Sequence, residues 1–110
     1  ENGRNVTPAS YEIGEINGRY TRSAIAQKGQ LHYLLVNTSS YMDLNLTERL
    51  KLKEVSDNLI ELGAQNAYAL DGGQTTVITM CGDLISRPDF EHQRQISDII
   101  YFATAIPNGD

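Results

Sequence analysis

Ala67-Tyr68-Ala69-Leu70-Asp71-Gly72-Gly73-Gln74-Thr75-Thr76-Val77-Ile78-Thr79-Met80 is the stretch on which the fold turns. A short apolar run enters two consecutive glycines, and a β-branched run leaves them, so the segment reads as strand, loop, strand. Paired glycines cost conformational entropy, and a positive φ or a close backbone approach must offset it. Asp71 is the side chain such a loop presents. The amides of Gly72, Gly73 and Gln74 with the hydroxyls of Thr75 and Thr76 would form a donor-rich concavity suited to an anion. Local spacing leaves a second reading open, a tight turn in which Asp71 caps backbone amides.

Upstream, Leu52, Val55, Leu59 and Leu62 recur at three- and four-residue steps, with Ile60 widening the stripe. The pattern predicts a helix over Thr47 to Leu62, capped by Thr47, stapled by Leu46 and stopped by a left-handed Gly63. Before it, Ser23-Ala24-Ile25-Ala26 and Leu31-His32-Tyr33-Leu34-Leu35-Val36 flank Lys28-Gly29-Gln30 and predict a hairpin. Its second strand is apolar on both faces, as a central strand would be. His32 is expected to pack or sit at an edge. Residues 1–21 lack periodicity and predict an irregular lead-in or weak strand. A run this long suggests that the natural chain starts further upstream.

Downstream, Cys81-Gly82 joins Thr75–Met80 to Asp83–Ser86 as a two-residue turn would. Arg87 to Gln95 is polar, and Ile96 to Thr104, with Ile99, Ile100, Tyr101 and Phe102, predicts a last strand that closes the sheet. The whole is an α+β fold, a mixed or antiparallel β-sheet with one main helix packed on it, in a single domain over 1–110.

Composition excludes several functions. A net charge of −5 and a pI near 4.9 argue against nucleic acid, whose backbone requires clustered Lys and Arg. No apolar run approaches the ~20 residues that span a bilayer. One cysteine, Cys81, rules out an internal disulfide and offers no metal-ligand spacing. Asp71, Asp89 and Asp98 could supply oxygen ligands to Ca2+ or Mg2+, a reading ranked last because it lacks the dense spacing of a dedicated loop. Arg87 and Arg94 carry planar forks that bind phosphate or carboxylate bidentately, and Arg22 opens the first strand where a charge can be aimed from a sheet end.

Taken in order, Arg22-Ser23-Ala24-Ile25, Glu61-Leu62-Gly63-Ala64, Leu70-Asp71-Gly72-Gly73-Gln74-Thr75-Thr76, Cys81-Gly82-Asp83-Leu84-Ile85-Ser86-Arg87-Pro88 and Arg94-Gln95-Ile96-Ser97-Asp98 resemble the C-terminal half of the phosphodiester glycosidase family. The resemblance runs from Arg22 to about Phe102. It implies removal of a sugar, such as N-acetylglucosamine, from a sugar-phosphate diester, with a sugar-phosphate or polysaccharide substrate and a secreted or cell-envelope location. Carried over by position, it implies Asp71, Arg87 and Arg94 as catalytic, with Arg22, Gly72, Gly73, Gln74, Thr75 and Thr76 binding substrate. Gln74 stands where the family has a third glycine, Thr75 where it has Ser, Ser86 where it has Asn and Gln93 where it has Glu. The family's upstream Asn-Gly-Gly-like motif has no good counterpart, since Asn17-Gly18 lies too near Arg22. An upstream fragment or second chain that completes the site is therefore expected, or else a binding module without the catalytic half.

Overall fold

The computed structural model describes residues 1–10, 16–38, 49–86, 89, 93–103 and 105–106. A three-stranded antiparallel sheet is built from β1 (Ser23–Gly29), β2 (His32–Asn37) and β3 (Asn66–Leu70), in the order β2-β1-β3. The expected hairpin forms with Gln30-Leu31 at its tip, and Leu31 takes φ 54°. The register shifts between Gln27 and Gly29, a bulge at Lys28 that lets the ladder resume at Gly29 opposite His32.

The central strand is β1, not the more apolar β2. On one face of the sheet, Ala24 and Ala26 lie opposite Val36 and Leu34 of β2 and Ala69 and Ala67 of β3. Small residues there let the helix approach closely. Val55 and Leu59 of α1 (Leu52–Glu61) pack on Ala24, Ala26 and Ala64, with Leu34, Val36 and Leu50 around them. The reverse face carries Ile25, Tyr33, Leu35 and Tyr68, of which Tyr33, Leu35 and Tyr68 are exposed. Apolar on both faces as it is, β2 sits at an edge with His32, Tyr33 and Leu35 exposed.

Helix α1 starts five residues later than the periodicity predicts. Leu50 is held in a bridge to Tyr20, whose amide donates to the Leu50 carbonyl at 3.3 Å, so the chain is still extended there. Lys51 takes the N-cap position, and its amide donates to Glu54 Oε2 at 2.7 Å, which supplies half of a capping box. Thr47 and Leu46 lie outside the described residues. The helix end matches expectation. Gly63, at φ 91°, donates to Ile60 O and Ala64 to Leu59 O, each at 2.9 Å, the pair of bonds that defines a Schellman motif.

A second hairpin, β4 (Thr79–Met80) with β5 (Asp83–Leu84), turns through Cys81 and Gly82 at φ 52° and 87°. Positive φ at both central residues is the type I′ geometry that suits strand twist. The strand expected over Ile96 to Thr104 is absent from the described residues. Its β-branched and aromatic side chains favour a pleated, half-buried surface, yet among the described residues 96–103 has no ladder neighbour, and a tilted Tyr33–Phe102 ring contact at 6.4 Å ties it to β2. No helix among the described residues is long and apolar enough to cross a membrane.

Candidate active site at the glycine loop

The ladder between β1 and β3 ends at Ser23 opposite Leu70. Just beyond it the glycine loop folds over the residues that precede β1, with Gly73 N–H donating to Thr21 O at 3.0 Å. Each glycine is required for a different reason. A Cβ on Gly72 would stand 2.6 Å from the Thr21 carbonyl oxygen, whereas Gly73 adopts φ 66°. A single 3-10 turn over Gly73–Thr75 follows.

Asp71 is 70% exposed, and its two oxygens are both engaged: Oδ1 accepts from the Gly72 amide at 3.0 Å and Oδ2 from Arg94 Nη2 at 2.7 Å. Arg94 is 58% exposed, and its amide reaches Gln74 O at 3.5 Å. The structure therefore brings Asp71 and Arg94 together at the mouth of the loop. The capping that the turn reading expects is present at the Gly72 amide, while the other oxygen of Asp71 meets the Arg94 cation.

The loop amides are less available than the sequence suggests. Gly73 N–H donates to Thr21 O at 3.0 Å, Thr75 N–H to Gly72 O at 3.4 Å, and the Thr75 hydroxyl to Gly72 O at 2.8 Å. Gln74 stays half-buried beside them. Thr76 turns inward at the end of the 3-10 turn; it is 1% exposed, and its buried hydroxyl has no hydrogen-bond partner among the described residues. Its place is under the loop, not on the solvent side.

Arg22 tethers neighbouring segments. Its Nη2 donates to Gly18 O at 2.7 Å and its Nε to Leu50 O at 3.4 Å, while the guanidinium lies 5.3 Å from the Tyr20 ring centroid. Its backbone exchanges bonds with Thr38, the amide donating to Thr38 Oγ1 at 2.7 Å and the carbonyl accepting from Thr38 N–H at 2.9 Å. Arg87, Pro88, Glu91 and His92 lie outside the described residues. Ser97 donates to the adjacent Asp98 at 3.2 Å on the surface.

Thr21, which the sequence did not single out, and Asp89, named there only as an oxygen ligand for a metal, support the loop from below. Thr21 is fully buried, and its hydroxyl donates to Asp89 Oδ1 at 2.8 Å. Asp89 is itself 4% exposed. The supporting role was not legible at Asp89, because an aspartate beside a proline in a polar run reads as surface.

Further supports come from polar side chains at the same end of the sheet. The Asn37 carboxamide lies 2.9 Å from Ser23 Oγ in either orientation, and the orientation that satisfies both amide atoms also accepts from Val77 N–H at 3.3 Å. Ser86 Oγ accepts from Ile78 N–H at 2.7 Å. These bonds join the main sheet to the second hairpin.

The three carboxylates of the metal reading are each engaged in other contacts. Among the described residues, no group of three or more His, Cys, Asp or Glu side chains could hold a metal ion. Asp71 is spent on Arg94, Asp89 is buried against Thr21, and Asp98 pairs with Ser97. A separate cleft of about 310 Å3 lies between α1, β3 and residues 1–8, walled by Leu52, Val55, Leu59, Ala67 and Ala69. Its apolar wall includes neither Asp71 nor Arg94.

The family model described as phosphodiester glycosidase matches residues 1–103. The match takes in the lead-in as well, consistent with the way residues 1–5 are bonded into the domain: Gly3 N–H donates to Gln65 O at 2.8 Å, and Asn5 Nδ2 donates to Lys53 O at 3.0 Å and Asp57 Oδ1 at 2.6 Å. No curated protein and no solved structure matches the chain significantly.

Proposed function

The chain belongs to the phosphodiester glycosidase family, and from that premise we propose that it hydrolyses the bond between a sugar and the phosphate of a sugar-phosphate diester at the Asp71–Arg94 pair. The observation that carries this reading is the 2.7 Å contact between Arg94 Nη2 and Asp71 Oδ2 on an exposed loop that two glycines make possible.

In the proposed step the bond from the anomeric carbon to the phosphodiester oxygen breaks, and its electron pair leaves with the phosphate. Water supplies the oxygen that replaces it at the anomeric carbon, and its proton passes to a carboxylate or to solvent. A phosphate leaves as a stable anion, so protonating the leaving group matters less than in ordinary glycosides. Arg94, more than half exposed, keeps N–H donors for the phosphate oxygens and stabilises the charge that develops there. Asp71 supports the oxocarbenium-like centre or activates water. Arg87, two residues before buried Asp89, is the second candidate phosphate ligand. Gln74 and the Thr75 hydroxyl oxygen border the same mouth, while Arg22 holds the segments that frame it.

The openness of this pair to solvent fits a site completed by an upstream fragment or second chain, with the present residues as the C-terminal part of a longer domain. A secreted or cell-envelope setting follows the same family reading. The alternative is a carbohydrate- or phosphate-binding module without catalysis. It is favoured by the internal bonding of the Gly72 and Gly73 amides, which leaves few donors for a developing oxyanion.

Hydrolysis of a sugar-phosphate diester, alone and with any upstream partner, separates the two. Asp71→Asn keeps the shape of the side chain and removes its charge, and is expected to lower turnover by roughly a hundredfold or more, the scale of a lost acid–base or electrostatic group. Full activity in that variant overturns the proposal; ligand binding without hydrolysis by the wild type supports the module instead.

A further inference from the structure

Three segments distant in sequence meet at one buried threonine. The Thr21 carbonyl accepts from Gly73 N–H at 3.0 Å, and its hydroxyl donates to Asp89 Oδ1 at 2.8 Å. The other Asp89 oxygen turns toward the loop, 4.0 Å from the position a Cβ on Gly73 would take. A buried carboxyl is costly unless hydrogen-bonded, so the Thr21 hydroxyl and the Asp89 carboxyl constrain one another. Gly72 and Gly73 have the widest backbone freedom in the loop, and the bond from Gly73 to Thr21 ties that loop to the segment before β1, while the other bonds of these two glycines among the described residues are internal to the loop.

We propose that Asp89 is a positioning residue for the glycine loop, acting through the Thr21 hydroxyl to hold the Thr21 carbonyl under Gly73 and thereby to set Asp71 against Arg94. The proposal deepens the functional reading above and rests on it for its catalytic consequence. The link fixes Thr21 at the side chain, and fixing Thr21 fixes the acceptor of the Gly73 amide. Asp89 itself, 4% exposed, acts without touching substrate.

The test compares Thr21→Val and Asp89→Ala, which break the link, with Thr21→Ser and Asp89→Asn, which keep a hydroxyl donor and an oxygen acceptor. Amide hydrogen exchange is followed by NMR at Gly73 and at Ile25 and Ala26 in β1, alongside kcat and KM for a sugar-phosphate diester. Breaking the link is expected to speed exchange at Gly73 roughly tenfold relative to the β1 amides, the factor that follows from one lost hydrogen bond. The same variants should lower kcat with KM little changed, and the conservative pair should stay near wild type. Unchanged exchange at Gly73, or an equal acceleration in β1, overturns the proposal.

Should a link-breaking variant not fold, Asp89→Glu displaces the acceptor while Thr21→Ser keeps the donor. Faster Gly73 exchange in Asp89→Glu alone supports the link, and identical behaviour of the two overturns it. A wild-type chain without turnover removes the proposed function but leaves the exchange result to decide the positioning role.

Discussion

Arg94 reaches back 23 residues to place its Nη2 2.7 Å from Asp71 Oδ2, closing the mouth of the glycine loop with a charge-assisted bond. Both side chains are more than half exposed, so solvent and salt screen the pair. Its worth to folding is small, about 0–1 kcal/mol for exposed ion pairs. Arg94→Ala and Asp71→Asn are therefore expected to leave the denaturant midpoint nearly unchanged while turnover collapses. A double-mutant cycle measured on stability and on kcat/KM makes the comparison. Loss of stability in proportion to loss of turnover would show that the pair serves the fold instead.

The two glycines behave differently under substitution. At Gly72 the obstacle is contact, since a new Cβ meets the Thr21 carbonyl at 2.6 Å, and overpacking of this kind costs about 1–3 kcal/mol. At Gly73 the obstacle is the left-handed backbone, which costs an L-residue roughly 1–2 kcal/mol. Gly73→Asn should then be milder than Gly73→Ala, because asparagine tolerates positive φ, whereas Gly72→Asn should be no milder than Gly72→Ala. Chemical denaturation of the four variants checks the order.

How much of this was legible follows from how local each signal was. Gly63 as a helix stop and Cys81-Gly82 as a turn were readable because a few adjacent residues determine each conformation. The start of α1 was not, since Leu50 is held extended by Tyr20, thirty positions away. The run Ile99 to Phe102 has strand composition without a strand, because β-propensity describes fit to a neighbour that sequence cannot display. At the site, paired glycines marked the loop correctly. That their amides bind Asp71 and Thr21 depends on register, and the burial of Asp89 depends on the fold closing over it.

Leu59 provides a test of the small core. It is buried with Val55 against Ala24, Ala26 and Ala64, and truncating a buried leucine costs about 2–5 kcal/mol in transfer and cavity energy. A domain of this size has only about 5–15 kcal/mol of stability. Leu59→Ala is expected to shift the denaturant midpoint far more than Leu62→Ala, whose side chain is exposed just beyond the helix. Equal shifts would place the core elsewhere.

Glu54 gives the fold a pH dependence of definite sign. The Lys51 amide, foremost, and Arg19, which grips both carboxylate oxygens at 3.0 Å, hold its pKa below the ordinary value of 4.5. A carboxyl whose folded pKa is depressed contributes stability that is present above the unfolded value and lost as pH falls through the folded one. Wild type should accordingly lose its advantage over Glu54→Gln as pH drops below about 4.5, the ordinary carboxyl value, and keep it at neutral pH. Arg19 also donates to Arg49 O at 2.7 Å, so in Glu54→Gln that arginine still ties the lead-in to the segment before α1, and the variant isolates the carboxylate's share. Denaturant titrations of both proteins across pH 3 to 7 measure it. A stability difference that does not change over that range would mean the carboxylate gains nothing from its two partners.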